Sequence, residues 1–424
     1  MATAPENEVV TDSEEWNKPP FLRRVRIRGY KSIAFCDVTL EPLTILVGRN
    51  ASGKSNFIDA LAFLGDALRS GVTEAINRHG GFPAILCRSV ESSALSFEIE
   101  AAFSDEAAFY VAEYGVTIQA NPDSPPVVSQ EVLRFKDETR NRSSQFAARQ
   151  GKMEWLGDGV SRQSSTPGQL PPDYLHLGYL GESPFPVLAD SLRYMGMYNF
   201  HPEAIRRLRK VGVGYLLERD GSNLASVVAM LQEKDPELLG RVKAYLTYIA
   251  PDIQDFFPVR YGEYETLQFR LRSDAESPGL EFDTASMSDG TLRGLAAIMA
   301  AFQFVFPLGR NSVIGIEEPE TALHPAAMRA LVAALDEATL RTQILLTTHS
   351  PDLLDAAEIK PANVRVVKMI DGRTVIGSVD EASVSIVRDH LSTLGGLERE
   401  RQLEPDPDDL ERQDELARQE RTSQ

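Results

Sequence analysis

The chain has 424 residues, of which 42% are hydrophobic, so it is long enough for two or three domain-sized units with a sizeable core. Its 44 basic and 62 acidic residues give a formal charge of −18, which excludes a general electrostatic attraction to nucleic acid. The two cysteines, Cys36 and Cys87, are too few for a disulfide framework or a cysteine-based metal site. The start of the chain is acidic and polar, unlike a signal peptide, and no apolar run reaches the about 18 residues of a membrane span. We therefore expect a cytoplasmic protein with no membrane segment.

The first half of the chain predicts strands around one helix. Residues 1–20 are polar and are expected to be a disordered tail. Residues 21–40 predict two strands with a turn at Gly29, and EPLTILVG predicts a buried strand that leads into an amphipathic helix, SNFIDALAFLGDALRS. Short alternating stretches between residues 94 and 156 indicate an antiparallel sheet.

The second half of the chain becomes helical and then alternates. Residues 204–257 have a mainly helical pattern, and ETLQFRLRS predicts a returning strand. Helices and strands then alternate through NSVIGIEE and QILLTTH, which is typical of βαβ units and a largely parallel sheet. Residues 397–424 carry many charges of both signs and predict a frayed helix or a disordered tail, with the carboxylates of DPDD as solvated charges.

The stretch GRNASGKS matches the pattern G-x-x-x-x-G-K-S between the buried strand and the amphipathic helix, which is the context that a phosphate loop requires. Backbone N–H groups of such a loop and the helix N-terminus surround phosphate oxygens. Lys54 is predicted to reach the β and γ phosphates, and the Ser55 hydroxyl is predicted to bind Mg²⁺. The predicted nucleotide-binding residues are Gly48, Arg49, Asn50, Ala51, Ser52, Gly53, Lys54, Ser55 and Asn56.

Two further strands end in groups that suit phosphate chemistry. VIGIEEPE ends in two carboxylates, and we predict that Glu317 supports Mg²⁺ while Glu318 polarises the attacking water. His349 follows the strand ILLTT and could orient the γ-phosphate and the nucleophile. Lys54, Glu318 and His349 are therefore the predicted catalytic residues.

A fourth segment, ASMSDGTLRG, precedes a long apolar helix. Free N–H groups at its start could contact an anion, although a serine or aspartate N-cap is an ordinary helix start. We call Ser288, Asp289 and Gly290 the signature segment. Its place about 23 residues before the carboxylate strand links it to the other motifs.

In this order the four elements resemble the ABC-type ATPase heads of the SMC, RecF and OLD-like families. GRNASGKS is similar to their Walker A motif, VIGIEE to Walker B, SDG to the signature, and His349 to the switch histidine. The residues ETALHP, which come after Walker B, are similar to the D-loop region. The fold expected is therefore an α/β P-loop NTPase head of the ABC type, with an antiparallel β patch and a mainly helical insertion.

The resemblance implies a domain plan, listed by residue number: a tail at 1–20, the first part of the head at 21–105, a β and helical insertion at 106–259, the second part of the head at 260–396, and a charged tail at 397–424. It also implies that two heads sandwich two ATP molecules, with the signature segment acting in trans. Glu317 stands where most such heads carry aspartate, and Asp289 and Thr291 replace glycine and glutamine of the signature. Gln119 and Gln130 are the candidates for a Q-loop glutamine.

The sequence leaves three functions open. The first is an ATP-hydrolysing homodimeric switch that gates a separately encoded effector, such as a phage-defence nuclease, since only 75 residues follow His349. The second is a RecF-like DNA-repair ATPase, for which the basic strand with Arg23, Arg24, Arg26, Arg28 and Lys31 could contact DNA. The third is a scaffold that binds ATP without hydrolysing it, which the substitutions at Glu317 and Asp289 favour.

Overall fold

The structure is a computed structural model, and it describes residues 21–89, 94–104, 108–119, 125–156, 170–181, 185–212, 214, 216–272, 279–303 and 313–422. The tail predicted at residues 1–20 lies outside this part of the chain. Among the described residues, no helix is both long enough and apolar enough to cross a membrane.

The strands account for most of the scaffold. In chain order they are β1 (Leu22–Tyr30), β2 (Ile33–Thr39), β3 (Leu43–Val47), β4 (Ala94–Ser104), β5 (Phe109–Gln119), β6 (Val127–Asp137), β7 (Arg142–Arg149), β8 (Lys152–Leu156), β9 (Gly196–Tyr198), β10 (Arg209–Lys210), β11 (Ile253–Tyr261), β12 (Tyr264–Leu271), β13 (Glu281–Asp283), β14 (Val313–Glu317), β15 (Gln343–Thr348), β16 (Val364–Ile370) and β17 (Arg373–Ser378).

Helices cover both faces of the central sheet. They are α1 (Lys54–Ser70), α2 (Val72–Arg78), α3 (Phe82–Ile85), α4 (Phe185–Arg193), α5 (Pro202–Arg206), α6 (Leu224–Lys234), α7 (Pro236–Ile249), α8 (Asp289–Phe302), α9 (Pro325–Ala338), α10 (Pro351–Leu354), α11 (Glu381–Arg388), α12 (Leu394–Arg399) and α13 (Pro407–Thr422). α1 lies in one core, and α8 and α9 lie in the other.

A six-stranded sheet with the order β17-β16-β3-β15-β14-β9 forms the centre of the head. Its strands are parallel except β17, which pairs antiparallel with β16 at one edge. Every residue of β3 and β15 is buried, as strands covered on both faces require. Successive side chains enter two different cores: Ile45 joins the core that contains α8 and α9, whereas Leu46 joins the core that contains α1. The predicted parallel sheet is confirmed.

The register of this sheet brings three predicted motifs to one edge. Glu317, the last residue of β14, lies opposite Thr347 of β15, and Thr348 lies opposite Val47 of β3. The phosphate loop, the carboxylate pair and His349 all come directly after these strand ends. In an open parallel sheet, ligands bind outside the carboxyl ends of the strands. The candidate site therefore lies at this edge.

A seven-stranded antiparallel sheet with the order β2-β1-β4-β5-β6-β7-β8 lies beside the central one. Buried and exposed residues alternate along β4 and β5, which confirms the predicted antiparallel patch. The predicted boundary between residues 105 and 106 is wrong, because it falls between β4 and β5, which pair along their whole length. Alternating strands that bury only one face are stable only as part of one continuous sheet.

The insertion between the two parts of the head is less helical than its pattern predicted. α6 and α7 confirm the helical part, but Ile253–Tyr261 forms β11, which pairs with β12. The aromatic residues of this segment suit a strand, since Phe256 of β11 packs against Phe269 of β12 in the core that contains α6 and α7. Gly29 likewise lies within β1 rather than in a turn; the chain reverses at Lys31 and Ser32.

The charged C-terminal segment forms a helix, one of the two predicted alternatives, but the helix is docked against two strands, so the prediction of a frayed, solvated segment was wrong. α13 packs against β2 and β17, and Gln413 is buried between them. Its side chain accepts a hydrogen bond of 3.0 Å from the Asp37 N–H and donates one of 2.9 Å to the Ile376 carbonyl. Asp409 of the DPDD stretch accepts from the Ser378 N–H at 3.0 Å. The helix has few apolar residues, and these polar contacts rather than an apolar face attach it to the strands.

Replacing Gln413 by alanine should lower the free energy of unfolding by about 1–3 kcal/mol, because a buried N–H and a buried carbonyl each lose their partner. Chemical denaturation measures this change directly. Glu415→Ala on the exposed side of the same helix is the matched control, expected within about 0.5 kcal/mol of the parent protein. Equal effects of the two substitutions would show that α13 is not anchored through Gln413.

Candidate functional site

The phosphate loop is held tightly by the β16–β17 hairpin. A side chain at Gly48 would place its Cβ 2.1 Å from the Val367 carbonyl, so only glycine fits there. Gly53 has φ +104°, a left-handed conformation, and a Cβ on it would lie 1.9 Å from Thr374 Oγ1. Thr374 also donates a 2.9 Å hydrogen bond to the Ser52 carbonyl. The loop conformation is thus set by a hairpin more than 300 residues away in sequence.

Lys54 lies across the loop that precedes it. Its ammonium group donates to the Gly48 carbonyl at 2.6 Å and to the Arg49 carbonyl at 3.0 Å, and the residue is 5% exposed. Burial lowers the pKa of Lys54, and the negative charges of Glu318 and Glu320 offset only part of that effect. The positive charge of Lys54 is therefore only partly balanced within the protein. A phosphate group bound in the glycine loop would supply the negative charge that balances it.

The other residues of the loop fit the same ligand. Arg49, Asn50 and Ala51 are exposed at the loop tip, where a ligand can reach them. The hydroxyl of Ser52 is buried and has no hydrogen-bond partner among the described residues. Asn56, by contrast, donates to Ser32 Oγ at 2.6 Å, so its side chain braces the start of α1.

Ser55 and Glu317 lie together beside the loop. A hydrogen bond to Ser55 stabilises the Glu317 carboxylate, but burial dominates and raises the pKa of Glu317. A hydroxyl and a carboxylate offer the oxygen ligands that Mg²⁺ prefers, with the remaining positions left to phosphate and water. The two residues predicted as metal ligands are therefore adjacent in the fold and suited to that ion.

Glu318 and His349 form a pair at the mouth of the site. Glu318 Oε1 lies 3.1 Å from His349 Nδ1, and both side chains are partly exposed. The Glu318 backbone has φ +42°, a conformation that is unfavourable for a side chain of this size, and its N–H donates to the Thr347 carbonyl at 3.0 Å. The main chain thus turns sharply after β14 and directs the carboxylate away from the strand, toward the histidine at the end of β15.

Glu320, the first residue of the D-loop region, is a buried acid behind this pair to which the sequence assigned no chemical role. It is 4% exposed, Thr348 Oγ1 donates to its Oε1, and its Oε2 has no hydrogen-bond partner among the described residues. Burial raises the pKa of Glu320. Its negative charge also acts on Lys54, so the two strand ends are electrostatically linked to the loop.

Arg219 is a second residue that sequence reasoning missed. Its guanidinium donates to Asp59 Oδ1 at 3.3 Å and lies 4.0 Å from Glu317 Oε1. Asp59, on α1, also accepts from Tyr30 at 2.6 Å and pairs with His79 at 3.0 Å. The neighbouring stretch DGSNL, residues 220–224, gives no local chemical signal for this position. Arg219 therefore connects the carboxylate predicted to bind metal with a buried polar cluster beneath the loop.

The signature segment lies at the exposed start of α8. Ser288 is the N-cap, and its Oγ accepts from the Thr291 N–H at 3.1 Å. Asp289 is bound by Arg206, another partner that the sequence did not indicate. A Cβ on Gly290 would lie 2.2 Å from the Ala322 carbonyl, so α8 packs directly on the segment after Glu318. The structure thus places the signature segment against the D-loop region of its own chain.

The two Q-loop candidates lie on the antiparallel sheet. Gln119 ends β5 and is exposed, and Gln130 of β6 lines a groove of about 380 Å³ on the outer face of that sheet, together with Glu98 and Arg134. Neither assignment is tested by these positions. The basic residues suggested for DNA contact form ion pairs within the chain: Arg24 pairs with Asp37 and Arg26 with Glu98, while Lys31, just after β1, pairs with Asp59.

The fold and the site together define a head of the P-loop NTPase class. More particularly, the chain belongs to the family described as "AAA domain, putative AbiEii toxin, Type IV TA system", whose model matches residues 43–148 and 202–355. The two matched ranges carry the loop, the signature segment, the carboxylate pair and His349. No curated protein matches the chain.

Solved structures of SMC heads are similar in fold. An SMC head bound to the C-winged helix domain of ScpA has 13% identity and a TM-score of 0.51, covering 86% of this chain and 99% of that one. The SMC head domain from Thermotoga maritima has 15% identity and a TM-score of 0.40, covering 85% and 100%. An SMC head with an extended coiled coil, bound to the C-terminal domain of ScpA derived from Pyrococcus furiosus, has 13% identity and a TM-score of 0.43, covering 88% and 100%. At such identities the likeness concerns the fold alone.

Gly53→Ala should weaken binding of a fluorescent ATP analogue by about tenfold or more, because the added methyl would collide with Thr374 and strain a left-handed residue. Gly372→Ala is the matched control. Gly372 also has a positive φ, +73°, but a Cβ there meets nothing within 4 Å. Equal affinities for the two variants would show that contact between Thr374 and the loop does not shape the binding site.

His79 should make stability depend on pH. Burial lowers the pKa of His79, but its bonds to Asp59 and Asp66 outweigh burial and raise it. The stabilisation is fully present below the unfolded pKa of about 6.5 and is lost as pH rises through the higher folded value. Urea unfolding from pH 6 upward should therefore show a decline that His79→Gln removes and that His201→Gln, on the surface, retains. An unchanged decline in His79→Gln would contradict this origin.

Proposed function

We propose that this protein binds ATP with Mg²⁺, hydrolyses it, and acts as a homodimeric switch for a separately encoded effector. The observation that carries the proposal is the 3.1 Å pair between Glu318 and His349, beside Ser55, Glu317 and the phosphate loop. A loop that only held a nucleotide for structural reasons would not need a base and a histidine at its open side.

The loop would bind the phosphates and the strand ends would bind the metal. Backbone N–H groups between Gly48 and Ser55 face the phosphates, and Lys54 moves from its own loop carbonyls to the β and γ phosphates. Ser55 and Glu317 would hold Mg²⁺, which neutralises charge on the β and γ phosphates when bound. The longer side chain of glutamate, compared with aspartate, is accommodated because Glu317 is already within hydrogen-bonding range of Ser55.

Glu318 is the general base in this proposal. Its carboxylate is partly exposed at the mouth of the site, where a water can lie between it and a γ-phosphate. His349, whose Nδ1 lies 3.1 Å from Glu318 Oε1, would fix the orientation of that carboxylate and present its other ring nitrogen to the phosphate. Glu320, buried behind them, keeps the strand end of Thr348 in place.

The signature segment supports a dimer. Ser288 and Asp289 are exposed at the start of α8. Such a helix end can bind a triphosphate held by a second copy. Two copies related by a two-fold axis would then form two equivalent sites, so ATP closes the dimer and hydrolysis loosens it.

The partner proposal rests on the family description, which names a toxin–antitoxin system and agrees with a function shared between two gene products. The described residues after His349 belong to the head itself: β16 and β17 enter the central sheet, and α13 packs on β17 and β2. A phage-defence nuclease is the kind of effector that we propose.

Glu318→Gln should reduce ATP turnover by about 100-fold or more, because general-base catalysis contributes that much, while ATP binding persists. Phosphate release assays and analogue binding measure the two effects separately. Glu381→Gln, an exposed glutamate on α11, serves as the control and should keep full turnover. If the parent protein and Glu318→Gln bind ATP equally and neither turns it over, the protein is a non-hydrolysing scaffold. Stimulation of turnover by DNA would instead favour a repair ATPase.

A further inference from the structure

Arg206 makes a set of contacts with the signature segment that have no part in the proposed hydrolysis. Its Nη2 donates to the carboxylate of Asp289 and, at 2.8 Å, to the Met287 carbonyl. The Arg206 side chain is 18% exposed, whereas that of Asp289 is 56% exposed. The arginine is thus largely enclosed and holds an acid that faces solvent.

An acid at this position is a physical problem for the proposed dimer. Asp289 is the first residue of α8, next to Ser288, and in the dimer this helix start would face the triphosphate of the second copy. A carboxylate beside a triphosphate is a like-charge contact, and such contacts cost several kcal/mol at an interface. A fixed cation beside Asp289 removes most of that repulsion, and an arginine guanidinium keeps its charge at every pH at which the protein is folded.

We propose that Arg206 is a positioning residue that neutralises Asp289, so that the signature segment can approach the triphosphate bound by a second copy. The inference rests on the proposed function. The bond from Arg206 to the Met287 carbonyl also holds the main chain just before Ser288, which fixes the direction in which the N-cap points. One side chain therefore sets both the charge and the orientation of the segment.

The position of Arg206 is itself fixed by the DGSNL turn. Gly221 has φ +78°, and a Cβ there would lie 3.0 Å from Phe200 and 3.2 Å from Ile205, so the turn packs closely on the start of α5. The His201 N–H donates to the Asp220 carbonyl at 3.1 Å. The same turn presents Arg219 to the metal side of the site. The DGSNL turn thus positions two arginines: Arg219 lies beside the predicted metal site, and Arg206 lies beside the signature segment.

Glu203 is another acid that contacts Arg206, but it does not replace Asp289 as the main partner of the arginine. Glu203 accepts from Arg206 Nη1 at 2.9 Å, but its side chain is 81% exposed. A pair that is so open to water is worth little. The geometry therefore assigns the charge of Arg206 mainly to Asp289.

The test measures the ATP-dependent monomer–dimer equilibrium in the Glu318→Gln background, by analytical ultracentrifugation with ATP and Mg²⁺. Adding Arg206→Gln should raise the dimer dissociation constant by about 100-fold, from roughly tenfold at each of two identical sites. Adding Asp289→Asn as well should return the constant to within about threefold of the background value, because the repulsive charge is then gone. A merely structural role of Arg206 would not be rescued in this way.

Arg207→Gln is the matched control, since Arg207 is the next residue along the chain and its side chain is exposed. It should leave the dimer constant unchanged. If Glu318→Gln dimerises but Arg206→Gln does so equally well, or if Asp289→Asn fails to rescue the loss, the role of Arg206 is refuted and the dimer stands. If Glu318→Gln stays monomeric with ATP, the proposed dimer is refuted and the role of Arg206 with it.

Discussion

The register of three adjacent parallel strands is the constraint on which the site depends. β3, β15 and β14 lie side by side with Val47 opposite Thr348 and Thr347 opposite Glu317. Since all three strands end within one residue of each other, the loop after β3, the histidine after β15 and the carboxylates after β14 meet at one edge. A shift of one residue in β15 would turn its side chains to the opposite cores and separate His349 from Glu318. Burial on both faces of the sheet makes such a shift costly.

The motifs were predictable because their signals are local. The phosphate loop depends on glycine and lysine spacing between a strand and a helix, and Glu317 and Glu318 depend on carboxylates directly after an apolar run. The contacts that shape these motifs were not predictable, because they join residues far apart in sequence. Thr374 reaches the loop from a hairpin 322 residues away, and Arg206 reaches Asp289 across 83 residues. One sequence carries no local signal for such pairs.

The errors have a common physical origin. Residues 397–424 were predicted to be a frayed helix or a disordered tail because they are highly charged, yet α13 docks through the buried amide of Gln413 and through Asp409. Residues 204–257 were predicted to be mainly helical, yet Ile253–Tyr261 pairs with β12. In both cases tertiary contacts override the local sequence pattern. The composition of a segment shows how apolar it is, but it does not show which polar groups elsewhere in the fold are available to bond with it.

The segment after Glu318 connects the carboxylate pair with the signature segment of the same chain. Glu318 and Ala322 both have positive φ values, of +42° and +67°, and the Ala322 carbonyl touches Gly290 of the signature segment. Backbone strain of this kind persists only where the surroundings fix it. A change at Glu318 during hydrolysis would therefore reach the start of α8 through direct packing.

The central claim is that the loop of one copy and the signature segment of another enclose one ATP. Mixing one Glu318→Gln protein that carries Ser288→Cys with another that carries Asn50→Cys, and adding a short bis-maleimide, tests it directly, because Cys36 and Cys87 are buried. The account predicts a cross-linked heterodimer that forms only with ATP and Mg²⁺. No cross-link, or equal cross-linking without nucleotide, would contradict it.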